Sequence, residues 1–275
     1  FLSASGVVNV ILNLIFVIGF HMDVAGVATA TVLSQFVSAA LIVRCLIKDN
    51  GVCHLDLKKL AVKNDKLIGI IRIGLPAGMQ GAIFSLSNVV IQSSINSFGS
   101  VAMAGNTAGA NIEGFIYMAM NSFYQTSISF TSQNYGARKY ERINRILYGC
   151  LIYVTIVGVV TGNLAYLLGN KLLRFYSPDA EVIQYGLRRM SIICTTYALC
   201  GIMDTMVGSI RGLGYAVMPM IVSLLGACGL RMVWIFTIFS THRTLEVLYI
   251  SYPVSWTITA AAHLACFIIV RKKLK

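Results

Sequence analysis

The stretch SQNYGARKYERINR, Ser132–Arg145, stands where a long apolar run stops. From Val101 to Thr131 there is no Lys or Arg. Then Arg138, Lys139, Arg142 and Arg145 arrive together, against Glu141 alone. An uncharged exit, a Gly-Ala turn and a cluster of cations end a transmembrane helix on the cytoplasmic side, where Lys and Arg collect. A generic membrane-exit loop accounts for the charges, but not for the wording QNYGA.

Composition agrees with a membrane reading. The 275 residues are 57% hydrophobic and 12% charged, where soluble domains carry about 25% charged residues. The net charge of +12 suits nucleic acid only if cations line polar faces; here they gather between apolar runs, which points away from a nucleic-acid partner. The seven Cys lie mostly inside apolar runs without C-x-x-C spacing, so they read as small hydrophobes, not as a disulfide frame or a metal site. The chain opens at Phe1 on apolar sequence with no basic leader region, which leads us to expect a fragment beginning in or just before a helix.

A span needs about 20 mostly apolar residues. That rule predicts an all-α polytopic membrane protein with eight transmembrane helices, at about 3–20, 24–46, 68–97, 101–131, 143–168, 187–210, 215–239 and 246–270. Between the second and third lies a polar segment, 48–67, with Lys48, Lys58, Lys59, Lys63 and Lys66 among Leu and Asp residues; a short helix along the inner surface is expected there. Sixteen of the 22 Lys and Arg fall on one side of this scheme, including Arg211 and the RKKLK tail. Lys171, Arg174, Arg188, Arg189 and Arg243 fall on the other, and Arg231 lies within a span. The asymmetry predicts that both ends face the cytoplasm, in a multi-pass protein of the cell inner (plasma) membrane.

No GxSxG, HExxH, Walker loop or paired-His spacing occurs, so neither enzyme nor metal chemistry is indicated. Function is sought in polar residues inside spans, which are costly in lipid. In the third span Ser85, Asn88, Gln92 and Asn96 share one helical face. They either line a water-filled cavity or hydrogen-bond to another helix. In the fourth, Glu113, Tyr117, Asn121 and Tyr124 share a face, with Gln125 beside them. A carboxylate about 18 Å deep among aromatic rings suits an organic cation; the alternative is an ion pair with Arg231, structural or exchanged for substrate or proton. Asp204 and His263 are further candidates for a coupling proton, Asp204 alternatively bonding backbone near RGLG.

QNYGA (Gln133–Ala137), Gly74-Leu75-Pro76, RGLG (Arg211–Gly214) and the run Asn9–Gln35 together resemble, in order and spacing, the multidrug and toxic-compound extrusion (MATE) transporters. The resemblance implies that 1–47 are the last two helices of an N-terminal lobe, 48–67 an inter-lobe linker and 68–275 the six-helix C-terminal lobe. It further implies a secondary antiporter that exports organic compounds, expected to be cationic and amphipathic, by alternating access in exchange for protons or sodium ions. No other cofactor is expected. The partners would be a small-molecule substrate, membrane lipid and the remaining N-lobe helices of the same polypeptide. One departure is visible: AIFSLSNVV (Ala82–Val90) carries no carboxylate where sodium-coupled members often have one. A lipid-linked sugar flippase of the wider superfamily would favour a more cationic cavity, for which only Arg231 is evident. A seven-helix receptor conflicts with eight spans and both ends inside. An intramembrane enzyme lacks a visible catalytic dyad.

Overall fold

Small residues set the first helix pair. In the computed structural model, which describes residues 2–49, 51, 54–57 and 60–273, α2 (Asp23–Lys48) buries Gly26, Ala30, Ser34 and Ser38 along one face. A stripe of this kind lets two backbones approach closely. α1 (Leu2–Leu14), continued by a π turn over Ile15–Gly19, meets it there. Ser5 Oγ donates to the Ser34 carbonyl at 2.7 Å and Asn9 Nδ2 to Ser34 Oγ at 3.1 Å. His21 and Asp23 hold left-handed backbone (φ 51° and 40°) at the reversal between the two helices.

The chain divides into two compact units, Phe1–Lys66 and Leu67–Lys275. Phe1, Cys53, Lys58, Lys59 and Lys275, used in the arguments above, lie outside the described residues. The surface helix expected over 48–67 is not formed among the described residues; only Lys48, closing α2, and the stretch from Asn64, opening α3, are α-helical. Instead the Leu55 N–H donates back to the Leu46 carbonyl at 2.9 Å, and His54 Nδ1 lies 2.8 Å from the Asp49 carbonyl. These bonds fold the segment over the end of α2, where free helix carbonyls need partners.

The second unit is a helical bundle. α3 (Asn64–Asn96) runs through Pro76. α4 (Ser100–Gly136) has 37 residues, about 55 Å of helix. α5 (Tyr140–Leu167) and the short α6 (Gly169–Arg174) lead to α7 (Ala180–Ile193) and α8 (Tyr197–Gly212). α9 (Val217–Ser223), α10 (Leu230–Trp234) and two π turns form one run, and α11 (Leu245–Lys272) closes the chain.

α4 and α8 form the central seam, again through missing side chains. A Cβ at Gly208 would stand 2.8 Å from the Tyr124 carbonyl, and one at Gly212 2.7 Å from Thr131 Cβ. Ser127 Oγ adds a bond to the Thr205 carbonyl at 3.0 Å and lies 2.7 Å from Ser209 Oγ. α7 lies on α4 in the same way, over Gly105 and Gly109.

Among the described residues five helices are long and apolar enough to cross a membrane: Asp23–Lys48, Asn64–Asn96, Tyr140–Leu167, Val217–Phe239 and Leu245–Lys272. α7 and α8 make a sixth if taken as one span bent by 49°. The expected count of eight is not reached by this measure. Ser3–Gly19 is too short, and α4 is diluted by the polar residues it carries. The span expected straight over 187–210 is broken instead. Thr195 and Thr196 hydroxyls donate to the Ser191 and Ile192 carbonyls at 2.7 and 2.6 Å, back-bonds that bend helices. The Cys194 carbonyl then turns against Gly162 of α5, leaving no room for a Cβ there.

Candidate functional site

Faces of α3, α4, α8 and α11, with Arg189 of α7 and Arg231 of α10, border two open cavities of about 530 and 380 Å³. Tyr117, Tyr197, Tyr252 and Trp256 line both as a shared aromatic wall, together with the amide of Asn88. The first chamber adds Gln80, Phe84, Asn121, Tyr124, Asp204, Arg211 and Arg231; the second adds Gln92, Asn106, Glu113 and Arg189.

Glu113 does not meet Arg231. It forms a buried bidentate pair with Arg189, whose Nε and Nη2 donate to the two carboxylate oxygens at 2.8 and 2.6 Å. The count of cations by position expects Arg189 on the outer side with Arg188. The helical screw separates the two: Arg188 turns outward to Glu246 at 3.5 Å, whereas Arg189 lies on the buried face of α7 with Val182, Gly186 and Ile193. Gly105 and Gly109 bring that face against α4, so Arg189 and not Arg231 stands opposite Glu113.

The pair anchors a longer chain of bonds. Arg189 Nη1 donates to Asn106 Oδ1 at 2.7 Å, Asn106 Nδ2 to Gln92 Oε1 at 3.1 Å, and Gln92 Nε2 to Asn96 Oδ1 at 3.1 Å. Tyr249 Oη donates to the same Asn106 oxygen at 3.3 Å. Gln92 thus both lines the second chamber and ties α3 to α4. Asn96 lines a separate surface pocket, while Ser85 and Gln125 are exposed and line neither chamber.

The first chamber holds its charges differently. Asp204 lines it with no hydrogen bond or ion pair to any described residue. Arg211, in the last turn of α8 and not in a loop, donates from Nη1 to Tyr124 Oη at 2.5 Å and from Nη2 to Gln80 Oε1 at 2.7 Å. Arg231 is 4% exposed, donates from Nε to Ser255 Oγ at 2.9 Å and lies with its guanidinium carbon 4.1 Å from the Tyr252 ring centre. His263 is buried with Nε2 3.0 Å from Ser223 Oγ, and lines neither chamber.

Sequence reasoning missed Arg189, Arg211, Asn106, Tyr252 and Trp256. Two of these carried a signal. Arg189 recurs with Val182, Gly186 and Ile193 at helical spacing on an otherwise apolar face, and Trp256 follows Tyr252 by four residues.

A bundle of apolar helices around a polar, aromatic-lined chamber defines the general class of a polytopic membrane protein with a central cavity. The family described as MatE matches residues 76–237, more than half of the chain. The chain belongs to the MATE family, a family of membrane transporters and not of enzymes. It is 23% identical over 267 residues to the probable multidrug resistance protein YoeA of Bacillus subtilis, covering 94% of this chain and 58% of that one. It is 25% identical over 207 residues to the probable multidrug resistance protein NorM of Thermotoga maritima, covering 74% of this chain and 44% of that one. The fold is shared with the crystal structure of the Vibrio cholerae MATE transporter VcmN in its bent form, at TM-score 0.84 and 19% identity, covering 98% of this chain and 61% of that one. It is likewise shared with a MOP superfamily transporter from Pyrococcus furiosus, at TM-score 0.90 and 17% identity over 98% of this chain and 61% of that one. The chain spans about half the length of the curated relatives it matches.

Proposed function

We propose that this chain works within a longer polypeptide that exports amphipathic organic compounds across the plasma membrane by alternating access, in exchange for protons or sodium ions. In this reading residues 1–47 belong to an N-terminal lobe, 48–67 link the lobes and 68–275 form the C-terminal lobe. Further N-lobe helices supply the opposite wall of the cavity. The observation that carries the reading is Asp204, a carboxylate facing the first chamber with no hydrogen bond or ion pair to a described residue. A carboxylate so placed is suited to exchange a proton or a sodium ion, and the relatives' description as multidrug resistance proteins supports export. Glu113, neutralised by Arg189, gives no ground for a cationic substrate; the substrate is an amphipathic compound of either charge.

The test is accumulation of a panel of amphipathic fluorescent compounds, of either charge, in cells lacking their major pumps. Expression of the complete polypeptide should lower accumulation of some of them, and Asp204→Asn should remove that effect while protein remains in the membrane. Unchanged accumulation of every compound, with wild-type protein present in the membrane, would overturn the reading.

A further inference from the structure

The charges that line the two chambers do not favour a cation. Three arginines, Arg189, Arg211 and Arg231, face two carboxylates, Glu113 and Asp204. Glu113 is fully engaged by Arg189. Arg211 meets a phenol and an amide, both neutral. Arg231 stands apart: it is 4% exposed, and its one hydrogen bond is from Nε to Ser255. Neither Nη1 nor Nη2 has a partner among the described residues, and neither is sealed away from open space. No carboxylate lies within ion-pair distance of it among the described residues.

The geometry around Arg231 is that of a presented fork. Tyr252 covers one face of the guanidinium at 4.1 Å, and Trp256 stands 5.7 Å from its central carbon. Ser255 fixes the Nε edge. What remains is the pair of terminal nitrogens, beside the aromatic wall that both chambers share. A guanidinium stays charged in proteins and matches a carboxylate in a planar, two-point contact. Both terminal nitrogens are thus open to an acceptor that enters the chamber.

We propose that the chamber takes an amphipathic organic anion, an aromatic carboxylate, with its head group on Nη1 and Nη2 of Arg231 and its ring against the shared aromatic wall. This deepens the export reading above and rests on it for the cavity's role. Asp204 lines the same chamber from α8, on a different helix from Arg231 and Ser255, and would repel the anion if charged. The head group is therefore held at the α10–α11 side.

Direct binding of naphthoate to the full-length protein in detergent tests the proposal, with the neutral isostere naphthamide as comparison. Wild-type protein should bind naphthoate at least about tenfold more tightly than naphthamide, the size of a charge-assisted hydrogen bond lost. Arg231→Gln should weaken naphthoate by about tenfold or more and leave naphthamide within about twofold, and Arg231→Lys should restore part of the difference. If wild-type protein binds the acid no better than the amide, or if Arg231→Gln weakens both alike, the proposal is wrong. The comparison of the two ligands on wild-type protein decides even if Arg231→Gln fails to fold. Export of other amphipathic compounds, measured in the same preparation after reconstitution, separates failure of this proposal from failure of the export reading.

Discussion

The two chambers share a wall but satisfy their charges in opposite ways. In the second, every charged atom has a protein partner: Glu113 takes two bonds from Arg189, which passes a third to Asn106 and so to Gln92 and Asn96. In the first, Asp204 has no hydrogen bond to a described residue, and two nitrogens of Arg231, Nη1 and Nη2, have no partner among the described residues. A buried charge whose bonds are complete holds helices in register; one whose bonds are incomplete is free to meet a ligand. Under the function proposed above, the contrast would make Glu113 structural and give the chamber of Asp204 and Arg231 the transport role, although on sequence alone Glu113 is the more conspicuous residue.

The largest effect expected from breaking this contrast is at Glu113. Glu113→Gln keeps a hydrogen-bond acceptor but leaves Arg189 as an uncompensated charge inside the α4–α7 contact. Loss of one partner of a buried pair costs about 3–5 kcal/mol. The melting temperature of the purified protein should fall steeply, with less protein reaching the membrane. A double replacement, Glu113→Leu with Arg189→Met, should recover much of the loss, because removing both charges removes the penalty. A Glu113→Gln protein of wild-type stability would contradict the structural assignment.

Next comes the seam that both chambers depend on. At Gly208 a Cβ would already stand 2.8 Å from the Tyr124 backbone carbonyl, which cannot rotate away as a side chain could. Gly208→Leu must push α4 from α8, at a cost of about 1–3 kcal/mol for overpacking. Gly149, where a Cβ would meet open space, is the control: Gly149→Leu should leave the melting temperature nearly unchanged.

The sequence made the membrane class, the family and the polar faces of α3 and α4 readable, because each follows from one-dimensional pattern. A run of apolar residues ending in cations marks a span wherever it packs, and a spacing of three or four places Asn88 with Gln92, or Glu113 with Tyr117, on one face. What failed needed the angle between helices. Counting cations by position put Arg189 with Arg188 outside, since a count is blind to the helical turn that sends the two in different directions. Arg211 looked like a loop cation because the Gly after it suggested a turn, whereas α8 continues to Gly212. The bend at 194–196 depends on hydroxyl back-bonds meeting Gly162 of another helix, a coincidence that no local pattern encodes.

A smaller effect is expected where Arg211 meets Tyr124. Tyr124→Phe removes the acceptor for Nη1 but leaves Gln80 on Nη2. The guanidinium is partly buried, so the loss should fall near the low end of about 0.5–1.5 kcal/mol for one hydrogen bond. If instead Tyr124→Phe lowers stability as much as Glu113→Gln, the first chamber is as tightly bonded as the second and the contrast between them fails.

The smallest change in stability is expected at Asp204, and it sharpens the contrast most. Asp204→Asn removes a carboxylate that lines the chamber and has no hydrogen bond or ion pair to a described residue, so no short-range bond is broken; Arg211, whose charge reaches it, keeps its bonds to Tyr124 and Gln80. Burial works against a lone ionised group; taking the charge away should leave the melting temperature unchanged or raise it slightly. Naphthoate binding at Arg231 should be undiminished, since a repelling charge has been withdrawn from the same chamber. Exchange should nonetheless be lost, because the amide can neither release a proton nor attract sodium in the way a carboxylate does. Side-by-side melting curves and counterflow measurements on Asp204→Asn and Glu113→Gln give the decisive comparison. A destabilised Asp204→Asn protein, or one that still exchanges substrate for the coupling ion at the wild-type rate, would place Asp204 with the structural residues and leave the first chamber without its coupling group.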